Sequence, residues 1–171
     1  IEENEREGKI RKLGPNDPTP PCVTPVFVVE KKGSLVGRMV GAYQYLNKET
    51  EDYYHPAPDA QDIFIKAAGN EYHSTFDCVW GFSGVLTDDQ TALLLSIICH
   101  MGVYASDRLP YGPKQCTAIY QSIKDEIFGP LEKPTGEPLA EIFVDDTYVG
   151  DLTLEAQFES LIQLLTKARE H

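Results

Sequence analysis

The sequence predicts an α+β fold, with an antiparallel sheet packed on helices. Three observations carry this. Short runs rich in Val, Ile, Phe and Tyr recur between turn residues, as strands require. Two segments show helical spacing between recognisable start and stop residues. The final segment repeats apolar residues with a period close to 3.6.

Taken in order, residues 1–12 are charged and suit a short helix or a frayed end. "GPNDPTPPCVTP" (14–25) reads as extended loop, because Pro, Asp and Asn punctuate it. "VFVVEKK" and "GRMVGAYQYLN" read as two strands joined by a turn at Gly33-Ser34. In "HPAPDAQDIFIKAAG" Pro58 stands near a helix start and Gly69 just past its end. "EYHSTFDCV" alternates weakly and reads as a strand ending at Asp77. The apolar run within "TALLLSIICHMGVYASDRL" fits a hairpin turning near His100–Gly102, or a helix followed by a strand; periodicity does not decide between them. "GPKQCTAIYQSIKDEIFGP" reads as a helix from about Pro113 to Phe128, stopped by Gly129-Pro130. A Pro/Gly loop (130–138) precedes "AEIFVDDTYVG", which reads as a hairpin with Asp145-Asp146 at its reversal. The last helix sets Leu154, Phe158, Leu161, Ile162 and Leu165 on one face, with Asp151 or Thr153 as its cap.

The 171 residues suit one ordinary or two-lobed domain, and the hydrophobic fraction of 42% is that of a soluble globular chain. The longest apolar run, "ALLLSIIC", is far short of the roughly 20 residues that span a bilayer. No charged-then-apolar leader opens the sequence. The four cysteines (Cys22, Cys78, Cys99, Cys116) form no CxxC pair, and the four histidines show no HExxH spacing. That argues against structural zinc and for reduced, intracellular thiols. The net charge of −12 argues against a nonspecific nucleic-acid binder. It is uneven: residues 1–48 carry eight Lys/Arg against six Asp/Glu, and residues 49–171 carry seven against 21.

Two readings of Asp145-Asp146 follow from the hairpin alone. One is a tight turn, since Asp tolerates positive φ. The other is half of a metal site, with Asp77 as the partner carboxylate if the two strands are neighbours. Three converging carboxylates repel one another unless divalent cations sit among them, and Mg²⁺ prefers such oxygen ligands. A Walker-type nucleotide site is excluded, because "YGPKQCT" lacks the upstream glycine and the Lys-Ser/Thr pair of a phosphate loop.

Five stretches together resemble the fingers and palm of a reverse transcriptase, most closely the gypsy-type LTR retrotransposon branch. They are "FVVEKKGSLVGRMVGAYQYLNK", "FDCVWGF", "LPYGPKQCTAIYQ", "FVDD" and the terminal helix, in that family's order and spacing. The resemblance spans about residues 8–171. It implies a right-hand fingers and palm without a thumb: a fingers-like part over 1–57, with part of 86–110 possible there too, and a palm-like part over 58–171. It implies an RNA-directed DNA polymerase core that adds dNTPs to a primer 3′-hydroxyl with two Mg²⁺ (or Mn²⁺) ions. By the resemblance Asp77, Asp145 and Asp146 are the catalytic carboxylates and metal ligands, helped by the Cys78 carbonyl. Lys31 and Arg38 hold the triphosphate, Phe82 lies beneath the sugar, and Tyr111, Gly112 and Gln121 line the nucleotide pocket. Implied partners are an RNA or DNA template with primer, dNTPs and further polyprotein domains (thumb, RNase H), with no membrane. The implied location is cytoplasmic and particle-associated, or nuclear. This chain departs from the family's pattern at Ala42-Tyr43-Gln44, where Asp-Tyr-Arg is usual, at Cys116-Thr117, and at Asp88-Asp89, in a region that often carries basic residues. A domesticated, non-catalytic interaction module is the alternative.

Overall fold

The computed structural model describes residues 1–30 and 37–171. The elements run α1 (Glu2–Arg6), β1 (Ile10–Lys12), β2 (Thr24–Val29), β3 (Arg38–Gly41), α2 (Gln44–Glu49), α3 (Ala60–Ala68), β4 (Tyr72–Asp77), α4 (Asp89–Leu94), β5 (Ile97–Cys99), β6 (Gly102–Ser106), α5 (Cys116–Phe128), β7 (Glu141–Phe143), β8 (Asp146–Asp151) and α6 (Leu154–Glu170). A 3₁₀ turn lies at Gly81–Gly84. The chain divides into two compact units, residues 1–52 with 80–116, and residues 53–79 with 117–171.

The first unit holds a five-stranded sheet in the order β1-β6-β5-β2-β3. Its pairings are antiparallel except β2–β5, where Thr24 and Pro25 lie parallel to Ile97 and Ile98. The ambiguous apolar run contains both alternatives. Asp88 caps α4 by accepting from the amides of Gln90 and Thr91, and β5 and β6 then form a hairpin. The core gathers Ile10, Tyr43, Leu95, Ile97 and Tyr104. Tyr43 is buried, and its hydroxyl donates to the Leu95 carbonyl at 3.0 Å. Burial pushes that phenol well above its ordinary titration range. "GRMVGAYQYLN" is a strand only as far as Gly41 and then turns into α2.

The second unit holds an antiparallel three-stranded sheet, β4-β8-β7. Helix α3 starts after Asp59, whose side chain accepts from the Gln61 amide, and ends at Gly69. Leu139, Val149 and Leu164 form the centre of its core, with Phe76, Phe128, Leu131 and Leu161 around them. Helix α6 is capped by Thr153, which accepts from the Ala156 amide.

The inward face of α6 differs from the one its apolar period suggests. Leu154, Phe158, Ile162 and Leu165 are all more than half exposed, while Gln157, Ser160 and Leu164 are buried. Gln157 is held there by its amide, which donates to Ser74 Oγ at 3.0 Å and to the Val149 carbonyl. These bonds partner the Gln157 amide nitrogen, while its Oε1 is buried without a hydrogen-bond partner among the described residues, so part of the cost of burying this polar side chain is left uncompensated.

Candidate active site

Strand register brings the predicted carboxylates of the second unit together. β4 and β8 pair so that Asp77 lies directly opposite Asp146. Opposed residues of antiparallel strands project from the same face, with Cα atoms about 4.5–5.5 Å apart. Both aspartates are exposed. Between β7 and β8, Phe143 opposes Asp146, leaving Val144 and Asp145 as a two-residue turn. The Asp145 carbonyl accepts from the Cys78 amide at 3.3 Å, which ties the turn to the residue after Asp77.

Val144 has φ +51°, the one non-glycine residue with positive φ among the described residues. For a β-branched side chain this is a strained conformation, costing about 1–2 kcal/mol. Strain of this kind persists only where the surroundings over-determine it, and here the determinants are visible. Gln121, from α5, is 1% exposed. Its Oε1 accepts from the Val144 amide at 2.8 Å, and its amide nitrogen donates to the Ile142 carbonyl at 3.0 Å and to Asp125 Oδ1 at 2.9 Å. One helical turn on, the Lys124 ammonium, 4% exposed, donates to the carbonyls of Val144 (2.8 Å) and Asp145 (3.3 Å) and to Thr147 Oγ1 (3.0 Å). Asp125 is in turn paired with His55 Nε2 at 2.6 Å. The amide of Gln121 is thus committed to the turn.

In the first unit the structure brings together Arg38, Phe82, Tyr111 and Gly112. The Phe82 and Tyr111 rings meet edge to face with centroids 5.0 Å apart. The Arg38 guanidinium stands 5.0 Å from the Tyr111 ring centroid, a cation–π contact. Phe82 is buried. Gly112 has φ +121°, and a side chain there would stand 2.9 Å from the Tyr43 ring and 3.0 Å from the Gly41 carbonyl, so only glycine fits. Asn47 clips the loop by donating to the Gly112 carbonyl and accepting from the Lys114 amide. Lys31 lies outside the described residues.

Lys124, Asp125 and His55 carry no motif in the sequence. Lys124 had one available signal: it stands at i+4 from Tyr120 and i+8 from Cys116, both buried, so a charge falls within the inward stripe of α5. Cys116 itself is a packing residue, its thiol pushed up to about 12 by burial.

The donor set suits a hard divalent cation, since all three candidates are carboxylates. Among the described residues, no three His, Cys, Asp or Glu side chains are grouped so as to hold an ion alone. Mg²⁺ commonly takes one or two protein carboxylates and completes its shell with water and substrate phosphate, a set that these aspartates can supply.

No family model matches the chain. Its sequence is similar to part of the enzymatic polyprotein of Cauliflower mosaic virus. Against strain D/H it is 30% identical over 155 residues, which is 88% of this chain and 22% of the polyprotein. Against strain Strasbourg it is 29% identical over 154 residues, with the same coverage. The chain therefore spans about a fifth of the length of these curated relatives. Among solved structures it resembles the crystal structure of native prototype foamy virus protease–reverse transcriptase, with a TM-score of 0.79 and 18% identity over 99% of this chain and 21% of that one. A foamy viral protease–reverse transcriptase in complex with double-stranded DNA gives a TM-score of 0.84 at 20% identity, over 99% of this chain and 28% of that one. The chain thus has a reverse-transcriptase-like α+β fold, and its sequence resembles a segment of viral enzymatic polyproteins. No helix among the described residues is long and apolar enough to cross a membrane.

Proposed function

We propose that this chain is the catalytic part of an RNA-directed DNA polymerase, adding dNTPs to a primer 3′-hydroxyl. The observation that carries the reading is the register that sets Asp77 opposite Asp146, with Asp145 in the strained turn beside them. Nothing in the pairing of β4 with β8 requires like charges to face each other, an arrangement that costs stability. In this reading Asp77, Asp145 and Asp146 would hold two Mg²⁺ or Mn²⁺ ions, which supply charge neutralisation for nucleotidyl transfer.

The protein's own share is positioning. The carboxylates sit on a sheet edge and a braced turn, so little reorganisation is needed when substrate arrives. Arg38 offers a guanidinium suited to phosphate oxygens, and the packed Phe82–Tyr111 pair offers a rigid apolar surface for a sugar. Fingers and palm are the names this reading gives to the two units. The gypsy-type branch, the RNA or DNA template, the further polyprotein domains and a particle-associated or nuclear location belong to the same proposal. They rest on the motif resemblance and on the company of viral polyproteins.

A second reading, a non-catalytic interaction module, is favoured by the excess of 21 acidic over seven basic residues in 49–171. Primer extension on an RNA template with Mg²⁺ or Mn²⁺ separates the two. The polymerase reading expects labelled dNTP incorporation by the wild type that Asp77→Asn and Asp145→Asn abolish. Equal incorporation by wild type and both variants, or none by any of them, refutes it.

A further inference from the structure

We propose that Lys124 is a positioning residue, whose buried ammonium locks the Val144–Asp145 turn in its strained conformation. The inference deepens the polymerase reading and rests on it for the importance of the turn. A buried lysine is expensive unless it is fully partnered. Lys124 donates to the turn carbonyls of Val144 and Asp145 and to the Thr147 hydroxyl at the start of β8, at 2.8, 3.3 and 3.0 Å, and its ammonium also stands 5.7 Å from the Tyr120 ring centroid. Three donors of one ammonium thus meet three acceptors on consecutive or near-consecutive residues, which defines the path of the backbone there.

Gln121 holds the other side of the same turn through the Val144 amide and the Ile142 carbonyl. The two side chains differ in kind. Gln121 continues the hydrogen bonding of the strand ends, whereas Lys124 brings a positive charge to within 3.3 Å of the Asp145 backbone. That charge lies where it offsets part of the negative potential of the paired aspartates before any metal arrives. The ammonium thereby holds the carboxylate-bearing turn shut against the repulsion between Asp77 and Asp146 and against the backbone strain at Val144.

Amide hydrogen exchange on the isotopically labelled protein tests this without relying on activity. The reporters are the Val144 amide, bonded to Gln121, and the Cys78 amide, bonded to the Asp145 carbonyl. In Lys124→Met, which keeps the length and loses the charge, both should exchange at least about tenfold faster, while amides at the centre of the β4–β8 ladder stay within twofold of wild type. Thr147→Val removes one anchor and keeps the charge; it should show the same local pattern more weakly, and it carries the measurement if Lys124→Met does not fold. Unchanged exchange at Val144 and Cys78 in a folded variant, or a uniform rise across the sheet, would overturn the proposal. In primer extension Lys124→Met should lower kcat at least tenfold with KM for dNTP within threefold. An inactive wild type would sink the polymerase reading, while the exchange pattern would still decide the role of Lys124.

Discussion

Asp146→Asn should stabilise the metal-free protein. Asp77 and Asp146 are opposed across β4 and β8 and both are exposed. Taking about 5 Å between the charges and a dielectric close to that of water, Coulomb repulsion is about 0.8 kcal/mol. Cross-strand pairs measured in sheets fall in the same range, about 0.2–1 kcal/mol. Asn keeps the shape and removes one charge, so packing should be nearly unchanged. For a chain of 171 residues, about 0.8 kcal/mol corresponds to a Tm rise of roughly 2–3 °C. The assay is thermal unfolding in EDTA across a salt series. The Debye length falls from about 30 Å at 0.01 M to about 3 Å at 1 M, so the gain should be largest at low salt and nearly vanish at high salt. Adding Mg²⁺ should reverse the order. The wild type gains about 1.4 kcal/mol at ten times its Kd, and the variant gains less. A stability gain that persists at 1 M salt, or a loss at low salt, would show that the pair does not repel and that the site's electrostatics have been misjudged.

Phe82→Ala should cost about 3–5 kcal/mol by urea unfolding, because a buried ring packed on Tyr111 is removed; where the variant still polymerises, ribonucleotide use should rise relative to deoxyribonucleotide use. Iodoacetamide at pH 8 should label Cys22, Cys78 and Cys99 in the folded protein and spare Cys116, whose thiol is buried and titrates near 12. Asp88 titrates below the ordinary carboxylate range because it accepts from Thr91 and Gln90. A depressed folded value means stability present above the unfolded value and lost as pH falls through the folded one, so Asp88→Ala should lower Tm at pH 7 and converge with wild type in strong acid. Fluorescence anisotropy on an RNA–DNA hybrid should show weak binding with a log Kd against log salt slope below about four, since Lys31, Lys32, Arg38 and Lys48 are half of the eight Lys/Arg in residues 1–48 and Lys9 and Arg11 are already paired with Glu7 and Asp107; a slope above about six would refute that reading of the surface.

The elements that were legible in the sequence share one property: their signals are local. Pro58 and Gly69 bracket α3, with Asp59 as the observed cap, and the strand ending at Asp77 and the hairpin follow from alternation and turn chemistry, although the reversal falls at Val144–Asp145 and Asp146 already belongs to β8. Non-local pairing was not legible. β2 joins β5 across some 70 residues of chain through only two register pairs, and no local pattern encodes a partner at that distance. The orientation of α6 was misjudged for a related reason. Periodicity finds an apolar stripe, but the side that faces the sheet is decided by partners on the sheet, here Ser74 and the Val149 carbonyl for Gln157.

The candidate site divides along the same line. Its carboxylates could be found because acids beside a strand end are conspicuous, but that β4 is the neighbour of β8, with Asp77 opposite Asp146, is a non-local pairing that the sequence left open and the structure supplies. What holds the carboxylates could not be found. Gln121 and Lys124 are polar residues on an amphipathic helix, and the usual inference sends such residues to solvent. They are buried because the turn above them exposes carbonyls and an amide that its own strands leave unpaired, and a buried backbone group must find a partner. A two-residue turn with Val at positive φ creates that need, and a glutamine and a lysine one helical turn apart meet it. The strain at Val144 and the burial of Lys124 meet in one turn: on the proposal above Lys124→Met should loosen the Val144 and Cys78 amides, whereas Val144→Gly, which removes the strain at positive φ, should leave them as protected as in the wild type.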